Sequence, residues 1–593
     1  MMKSQVYQLV LLSTLLITWS QAILASDGFD NLNLEKWAPA NYHERNEPPW
    51  NCGTDPLGPP PETGVVRRYN FTISRGLKSP DGVEKEMLLV NNQFPGPLIE
   101  ANWGDIIEVH VHNKIENPQQ GTSLHWHGLP QTRTPWYDGV PSIHQCPIAP
   151  GESFTYRFIA EVYGTTWWHA HYSAQYTDGA FGPLIIHGPR SAKYDIDVGP
   201  VLLSDYIHVD YHSYIMPIYQ QPPEFPPIKN NLINGKMPYD CRLPTNDSRC
   251  TDDNIHQARF RFETGKIHLL RLINSGGSGI QKFSIDNHDL VVIANDFTAI
   301  EPYTTKVVTL GVGQRSDILV MANGKSTDAV WMRSELDVVC LDIPTIQPNA
   351  TAPIYYTEAD IEHLPTSSGA QWSSDGCGNE PLAKTVPLYP KTPPSPDLTL
   401  HVNMTLRLNN TGHLLFFMNN STLYASYGEP ILREAYNGRT DFANRPEWNV
   451  ASTGNASTVR LILQTDFPIQ HSMHLHGVSD FWVLAEGWGS WDGRIINPQN
   501  PQRRDVQQML LGSPEMPSYM VIQWESTNPG VWPFHCHILI HSSTGLFMNF
   551  LQMPGAINDS MIPRVISETC EAWDRFAAEN HVDQPDSGLR VPT

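Results

Sequence analysis

The chain has few basic residues for its length. Its 593 residues include 39 Lys and Arg against 61 Asp and Glu, which gives a formal net charge of −22. A protein that binds nucleic acid or an anionic membrane needs a basic face, so we expect neither partner. After residue 25, no uninterrupted apolar run approaches the length of roughly 18 residues that a membrane span needs, so we expect no membrane anchor.

Long segments with a helical period of apolar residues are also missing. Short runs such as Ile107–Val111 and Phe154–Phe158 alternate apolar and polar residues instead, and turn dipeptides separate them. Many short strands with frequent turns predict an all-β chain of sandwiches or barrels. Because 593 residues exceed what one core supports, several domains are expected.

Changes in composition divide the chain into segments. Residues 1–25 have a basic start, an apolar core and small residues at the end, which predicts a secretory signal peptide. Residues 26–64 form an irregular lead-in rich in Pro, Gly and Asn. We expect three domains at 65–192, 193–355 and 397–570, a linker rich in Pro, Ser and Gly at 356–396, and a tail at 571–593.

The run from His535 to His541 carries the strongest functional signal. In an extended strand, residues two apart share a face, so His535 and His537 would project to one side and Cys536 to the other. One cysteine, two histidines and a weak axial group make a blue-copper electron-transfer site. Cys536 and His541 would then belong to one metal site, and His535 and His537 to a second site directly behind it.

Other His-x-His pairs accompany this run. A pair with this spacing places both imidazoles on one face of a strand, and three such pairs are His125 and His127, His169 and His171, and His474 and His476, the last preceded by His471. The expected middle domain has no such pair. A cluster that uses all of these pairs would therefore lie between the first and third domains, with the middle domain as a spacer and a wall of the substrate pocket.

The segments His125–Gly128, His169–His171, His471–Gly477 and His535–Leu546 resemble the four copper signatures of multicopper oxidases. The sequence is most similar to secreted ascomycete laccases, and the similarity extends from about Val65 to the C-terminus. It implies three cupredoxin-like Greek-key domains. The resemblance implies four copper ions: type 1 bound by His471, Cys536 and His541 with Leu546 at the axial position, type 2 by His125 and His474, one type 3 by His127, His169 and His537, and the other by His171, His476 and His535.

The resemblance also implies the reaction. A small aromatic donor would give up single electrons at the type 1 copper beside His541, and dioxygen would be reduced to water at the other three coppers. Leu546 offers no ligand atom, which should raise the potential and favour phenols. Asp138 matches a family acid that passes protons near the type 2 copper, although an Asp-Gly pair also simply forms turns.

The substrate side departs from the laccase pattern. Laccases commonly have an acidic residue in a loop of the second domain, where it takes the phenolic proton. The matching loop, Asn274–Gly279, has no carboxylate. Three explanations stay open: weaker turnover of phenols, a different donor, or a base supplied by another loop.

Cysteines are few, with eight in the chain. With Cys536 assigned to metal, the others are available for disulfides in an oxidising compartment. The resemblance implies Cys146–Cys570; Cys340–Cys377 is the next choice, Cys241 and Cys250 could close a small loop, and Cys52 is left without a partner.

The two ends and the sequons predict a secreted glycoprotein. Nine Asn-x-Ser/Thr sequons fit a glycosylated surface. The tail Asp586-Ser587-Gly588-Leu589 resembles laccase tails that are cleaved after the leucine, so we expect Arg590–Thr593 to be removed. We also expect a monomer.

Two other functions remain open from the sequence. A metal-ion oxidase or an ascorbate oxidase would share the scaffold. A ferroxidase would need carboxylates at the type 1 edge and often has a membrane anchor, and neither is visible in the sequence. Ascorbate oxidases have an axial Met, where this sequence has Leu546. A non-catalytic copper-binding cupredoxin would need only the Cys536 site, and the full set of histidines argues against it.

Overall fold

The computed structural model describes residues 55–243, 250, 256–374, 376–410, 412–557 and 562–580. Within them, the chain forms three successive pairs of β-sheets, which are three cupredoxin-like domains. The predicted signal peptide, the cleavage motif of the tail and Cys52 lie outside the described residues. Among the described residues, no helix has the length and apolar character needed to cross a membrane.

The first sheet pair consists of eight strands, β1 (Val66–Lys78), β2 (Lys85–Val90), β3 (Ile99–Asn102), β4 (Ile106–Lys114), β5 (Leu124–Trp126), β6 (Ser153–Ile159), β7 (Gly164–Ala170) and β8 (Phe181–His187). They form two four-stranded sheets with the strand orders β2-β1-β4-β6 and β3-β8-β7-β5. The predicted alternation in β4 and β6 is confirmed, because apolar side chains are buried at every second position of both strands.

The middle sheet pair consists of eleven strands, β9 (Ile196–Tyr206), β10 (Asn230–Ile233), β11 (Phe260–Phe262), β12 (Ile267–Asn274), β13 (Gln281–Ile285), β14 (Leu290–Asn295), β15 (Thr298–Thr305), β16 (Val308–Leu310), β17 (Arg315–Met321), β18 (Ala329–Leu336) and β19 (Asn349–Tyr356). Its sheets have the orders β10-β9-β12-β17-β14-β15 and β11-β19-β18-β13-β16. A short helix, α1 (Tyr211–Ile215), lies between β9 and β10.

The third sheet pair consists of β20 (Leu398–Leu408), β21 (Leu414–Met418), β22 (Val450–Gly454), β23 (Thr458–Thr465), β24 (His471–Leu475), β25 (Phe481–Trp488), β26 (Gln502–Arg504), β27 (Val506–Met509), β28 (Ser518–Glu525), β29 (Gly530–Cys536) and β30 (Phe547–Gln552). The orders are β21-β20-β23-β28-β25-β26 and β22-β30-β29-β24-β27. Three helices accompany them, α2 (Ile431–Tyr436), α3 (Leu539–Ser543) and α4 (Arg564–Glu579).

The first and third sheet pairs share one apolar core. A single cluster of buried side chains includes Trp126 and Trp167 from the first pair and Phe534 and Phe550 from the third. The middle pair has its own core around side chains such as Phe283. The first and third pairs therefore pack directly against each other, although most of the chain length between them belongs to the middle pair.

The described residues contain three disulfides, and they are the three pairs predicted from the sequence, Cys146–Cys570, Cys241–Cys250 and Cys340–Cys377. The first of them joins the first sheet pair to α4. Cys146, Cys570, Tyr172, Tyr427 and Trp573 form a small buried cluster around this bridge. Cys536 is a free, buried thiol.

The run from His535 to His541 is an extended strand only at its start. The strand β29 ends at Cys536, and α3 begins at Leu539. In a strand, five residues rise about 16 Å, so Cys536 and His541 could not have reached a common metal. The turn at 537–538 and the short helix bring the His541 ring back to the thiol.

Candidate metal centres

The first candidate centre contains one thiol and two imidazoles. His471 begins β24, Cys536 ends β29 and His541 lies in α3, and their possible ligand atoms lie within 4.8 Å of one another. Cys536 Sγ and His541 Nδ1 are 3.4 Å apart. β24 and β29 are antiparallel neighbours with Met473 opposite Cys536, which places these groups side by side in a buried sheet.

Leu546 lies directly beside this centre. It is fully buried, its carbonyl oxygen accepts a hydrogen bond from the Cys536 amide at 3.1 Å, and its own amide donates to the His541 carbonyl at 2.9 Å. The side chain offers no ligand atom. The three candidate ligands thus have an apolar residue beside them, and its axial position stays a prediction.

The second candidate centre is a cluster of histidines. Sets of three, each with possible ligand atoms within 4.8 Å, are His127, His169 and His537; His171, His476 and His535; and His125, His127 and His474. All eight histidines of the predicted cluster are therefore brought together. A further set joins His125, His476 and the carboxylate of Asp138.

Strand pairing within two sheets positions these rings. In the first sheet pair, β5 and β7 are neighbours, with His125 opposite His169. In the third pair, β24 and β29 place His474 opposite His535. Rings from the two pairs then meet: His127 and His474 stack with centroids 4.0 Å apart, and His125 and His476 are tilted with centroids 4.2 Å apart. The histidine cluster lies between the first and third sheet pairs.

Hydrogen bonds leave one nitrogen of most rings aimed at the cluster. Outer nitrogens are held by carbonyl groups, as in His125 Nδ1 to Asp138 O at 2.8 Å and His474 Nδ1 to Asp505 O at 2.8 Å. Among the histidines of the two candidate centres, the buried ring nitrogens without a hydrogen-bond partner in the described part of the chain are His125 Nε2, His127 Nδ1, His169 Nε2, His474 Nε2 and both nitrogens of His471 and His537. Unpaired buried polar atoms are costly, so this arrangement fits metal ions.

The rings are also in the correct protonation state for metal binding. Burial is the largest cause that lowers the pKa of seven of the rings, to about 4 for His535 and well below the usual range for His127, His169, His171, His474, His476 and His537. Neutral imidazole is the form that binds a metal ion. His541 differs, because the charges of Cys536 and Asp342 outweigh its burial and raise its pKa to about 9.

The ligand chemistry favours copper over zinc. Structural zinc sites are almost always tetrahedral with four protein ligands, whereas the thiol centre has three ligating groups and an apolar Leu546. Two imidazoles and one thiolate with a weak or absent axial ligand are typical of blue copper. Imidazole clusters also suit copper.

Asp138 lies at the edge of the histidine cluster. Its Oδ2 accepts a hydrogen bond from His476 Nδ1 at 2.8 Å, and its Oδ1 lies 3.3 Å from His125 Nδ1 but has no hydrogen bond. A buried histidine that sequence reasoning missed, His144, has its Nδ1 3.3 Å from Asp138 Oδ2 and its Nε2 bonded to the Val531 carbonyl. His144 belongs to no His-x-His pair, so no local signal could have identified it.

A carboxylate that the sequence did not predict contacts the thiol centre. Asp342 Oδ2 accepts a hydrogen bond from His541 Nε2 at 2.9 Å, and Oδ1 is buried without a partner within the described residues. Asp342 follows Cys340 in the loop after β18. The His541 side chain is 1% exposed and that of Asp342 is 14% exposed, so the carboxylate stands between the ring and solvent.

The loop Asn274–Gly279 packs against the same centre but encloses a different carboxylate. The amides of Gly277, Ser278 and Gly279 all donate to Asp205 at 2.8–2.9 Å. The Gly277 carbonyl accepts from the Leu539 amide, at the start of the helix that carries His541. The loop thus borders the thiol centre as expected, and Asp205 uses both of its oxygens on backbone amides.

Comparisons with known proteins agree with this fold and site. Multicopper oxidase profiles match residues 72–191, 197–359 and 408–556. The chain belongs to the multicopper oxidase family, and the family implies copper cofactors.

Relatives of known type are similar over most of the chain. Laccase-2 of Botryotinia fuckeliana is 36% identical over 540 residues, which are 89% of each chain. Dihydrogeodin oxidase of Aspergillus terreus is 34% identical over 580 residues, or 91% of this chain and 93% of that one. The crystal structure of laccase from Botrytis aclada has a TM-score of 0.81 and 35% identity, and covers 88% of this chain and 95% of that chain. Within its family, the chain is a laccase-type enzyme.

Proposed function

We propose that this laccase-type enzyme holds four copper ions and couples one-electron oxidation of a small phenol or aromatic amine to reduction of dioxygen to water. The observation that carries this proposal is the placement of Cys536. Its side chain belongs to the thiol centre, while its sequence neighbours His535 and His537 belong to the histidine cluster. One short stretch of backbone therefore connects the two centres.

The residues group into the proposed ligand sets. We assign His471, Cys536 and His541 to type 1 copper, and His125 and His474 to type 2. His127, His169 and His537 would hold one type 3 copper, and His171, His476 and His535 the other. Copper in these sites would supply one-electron redox chemistry at the first centre and storage of several electrons at the second.

Protein groups hold the rings and handle protons. Cys536 O accepts from His535 Nδ1 at 2.9 Å, which fixes the ring next to the thiol in sequence. Asp138 fixes His476 through Oδ2 and keeps Oδ1 free of hydrogen bonds inside the cluster. We assign Asp138 the role of passing protons to the reduced oxygen, because dioxygen reduction to water consumes protons.

The loop Asn274–Gly279 lacks the carboxylate that takes the phenolic proton in laccases. Asp342 supports the explanation that another loop supplies this base. Its free Oδ1 is a buried acceptor without a partner, next to the His541 edge through which the donor's electron would enter. An O–H or N–H of an aromatic donor would satisfy it. Val338 and Val339 of the same loop have exposed fractions of 52% and 74%. These apolar side chains could contact the aromatic ring of a donor beside the carboxylate.

Replacing Asp342 with asparagine is expected to lower kcat/KM for phenols by about 10²-fold, the lower end of general-base effects. The amide keeps the shape and can still accept from His541, but it cannot take the phenolic proton. Steady-state oxygen uptake with a substituted phenol would measure the loss. Ferrocyanide, a donor without an O–H group, serves as the control and should change less than about threefold. Equal losses for both donors would contradict this role.

Copper loading tests the proposed function itself. The loaded enzyme should show the blue charge-transfer band of the thiolate centre and a separate type 2 copper signal in electron paramagnetic resonance. With a syringyl phenol it should consume one dioxygen for four donor molecules and release no peroxide. A blue band without oxygen uptake would identify a non-catalytic copper protein. A clear preference for ferrous iron or ascorbate in the same assay would place it with other multicopper oxidases.

We also propose that the enzyme is secreted and monomeric. Three disulfides are stable in oxidising compartments and rare in the cytosol. Intact-mass analysis of protein secreted by an expression host would show removal of the first residues, and light scattering would show the molecular mass in solution.

A further inference from the structure

A turn of the middle sheet pair reaches the histidine cluster. Gly313 has φ +85°, and a Cβ on it would lie 3.0 Å from His537 Cδ2 and 3.2 Å from His127 Cε1. The backbone therefore touches one ring from the third sheet pair and one from the first. The middle pair is a wall of the cluster as well as the spacer that the sequence suggested.

Two residues after this turn, Arg315 connects the three sheet pairs. The side chain is fully buried, and Nη1 and Nη2 donate to Asp505 Oδ1 and Oδ2, each at 2.5 Å. Its Nε donates to the Thr165 carbonyl in β7 at 3.2 Å. A guanidinium from the middle pair thus holds a carboxylate of the third pair and a backbone carbonyl of the first.

Asp505 in turn holds two rings of the cluster. Its Oδ1 accepts from His127 Nε2 at 3.2 Å, and its backbone carbonyl accepts from His474 Nδ1 at 2.8 Å. These contacts leave His127 Nδ1 and His474 Nε2 without hydrogen bonds, facing the cluster. The single residue Asp505 therefore sets which nitrogen each of these rings presents.

The glycine after His127 leaves room for this arrangement. Gly128 has φ +73°, and a Cβ there would lie 2.4 Å from Asp505 Oδ2 and 3.0 Å from Arg315 Nη2. A glycine is needed both for the backbone conformation and for the close approach of the ion pair. The first sheet pair is thus shaped around the Arg315–Asp505 pair.

We propose that Arg315 is a positioning residue for copper in the cluster, because it fixes Asp505 and so the orientations of His127 and His474. This inference rests on the proposed assignment of those histidines as copper ligands. Partners that orient metal-ligating histidines typically contribute 10–100-fold to metal affinity. Arginine suits the role because its planar fork binds both carboxylate oxygens at once, whereas a lysine ammonium binds as a point charge.

Arg315→Lys tests the proposal while keeping the charge that balances buried Asp505. We expect the copper that gives the type 2 signal to be lost to a chelator about 10–100-fold more readily than in the unchanged enzyme. The blue band of the thiol centre should keep its intensity, because His471, Cys536 and His541 do not contact the ion pair. Copper content, paramagnetic resonance and the blue band are measured on the same samples during titration with chelator.

Arg271→Lys is the matched control. Arg271 is another buried arginine of the middle pair, and its hydrogen-bond partners within the described residues are Asp197, Asp317 and Thr165, none of which is a proposed ligand. This variant should lose thermal stability as Arg315→Lys does, but keep type 2 copper. Asp505→Asn is a second test, in which Arg315 retains Asp296 at 3.4 Å as its counter-charge.

Three results would overturn the proposal. Arg315→Lys could retain type 2 copper as firmly as Arg271→Lys, or the two signals could decline together. Loss of the fold in both Arg315→Lys and Asp505→Asn would assign the pair to general stability. Absence of a type 2 signal in the unchanged enzyme would instead refute the proposed function, so the two failures are distinguishable.

Discussion

Replacing Cys536 with serine is expected to remove the blue band and to reduce donor oxidation by at least about 10³-fold, on the order of 4 kcal/mol in activation free energy. Serine fits the space of the buried thiol, but its hydroxyl is a hard, weak ligand where copper needs a soft thiolate. The loss removes both the ligand of the first centre and the thiolate that connects it with His535 and His537.

The cluster should survive this substitution, which makes the test specific. Its eight histidines keep their contacts, so copper analysis is expected to find one ion fewer and the type 2 signal unchanged. Met548→Leu is the matched control, since Met548 is a buried core side chain of β30 close in sequence to Leu546 and is expected to tolerate an isosteric change. A blue band that persists in the serine variant would contradict the assignment of Cys536.

Sequence reasoning found the candidate ligands, which the structure brings together, because their spacing is local. Paired histidines two apart share one face wherever the backbone is extended, and the structure places each pair on or beside a strand. Position along the chain then gave the arrangement of domains, because the pairs occur only in the first and third. The fold class followed from alternation, which β4 and β6 display in full.

Local rules failed where the chain had to return on itself. The strand period correctly separated Cys536 from its neighbours, but it could not show that α3 brings His541 back to the thiol. That return depends on contacts across domains, such as the bond from the Leu539 amide to the Gly277 carbonyl. A period-based interpretation continues a strand until a breaker appears, and no proline or glycine lies between Cys536 and His541.

Single residues that act at long range gave no signal in the sequence. Asp342 contacts His541, which lies 199 positions away in the sequence, and Arg315 contacts Asp505, which lies 190 positions away. Neither aspartate belongs to a repeated motif, and a lone carboxylate is ordinary in an acidic chain. The polar partners of a metal centre follow from tertiary packing, so one sequence alone predicts the ligands better than it predicts the groups that orient them.

Asp138→Asn is expected to slow reoxidation of the reduced enzyme by dioxygen about 10²–10⁴-fold, the range for loss of a general acid or base. The amide can still accept from His476 Nδ1, so the ring keeps its orientation, but the side chain can no longer carry a proton. Electron entry should be unaffected, because Asp342 and His541 lie at the other centre. Stopped-flow mixing separates the two steps: anaerobic bleaching of the blue band by a phenol reports entry, and its return on adding dioxygen reports reoxidation.

Asp81→Asn is the matched control for this prediction. Asp81 is also a buried carboxylate paired with a histidine, His208, at 2.8 Å, and neither residue is a proposed ligand. Its loss should cost stability without slowing reoxidation. If Asp138→Asn instead slows bleaching and reoxidation equally, or loses copper from the cluster, then Asp138 only maintains the structure. A slowing of reoxidation alone, with bleaching and copper content unchanged, would assign Asp138 to proton delivery.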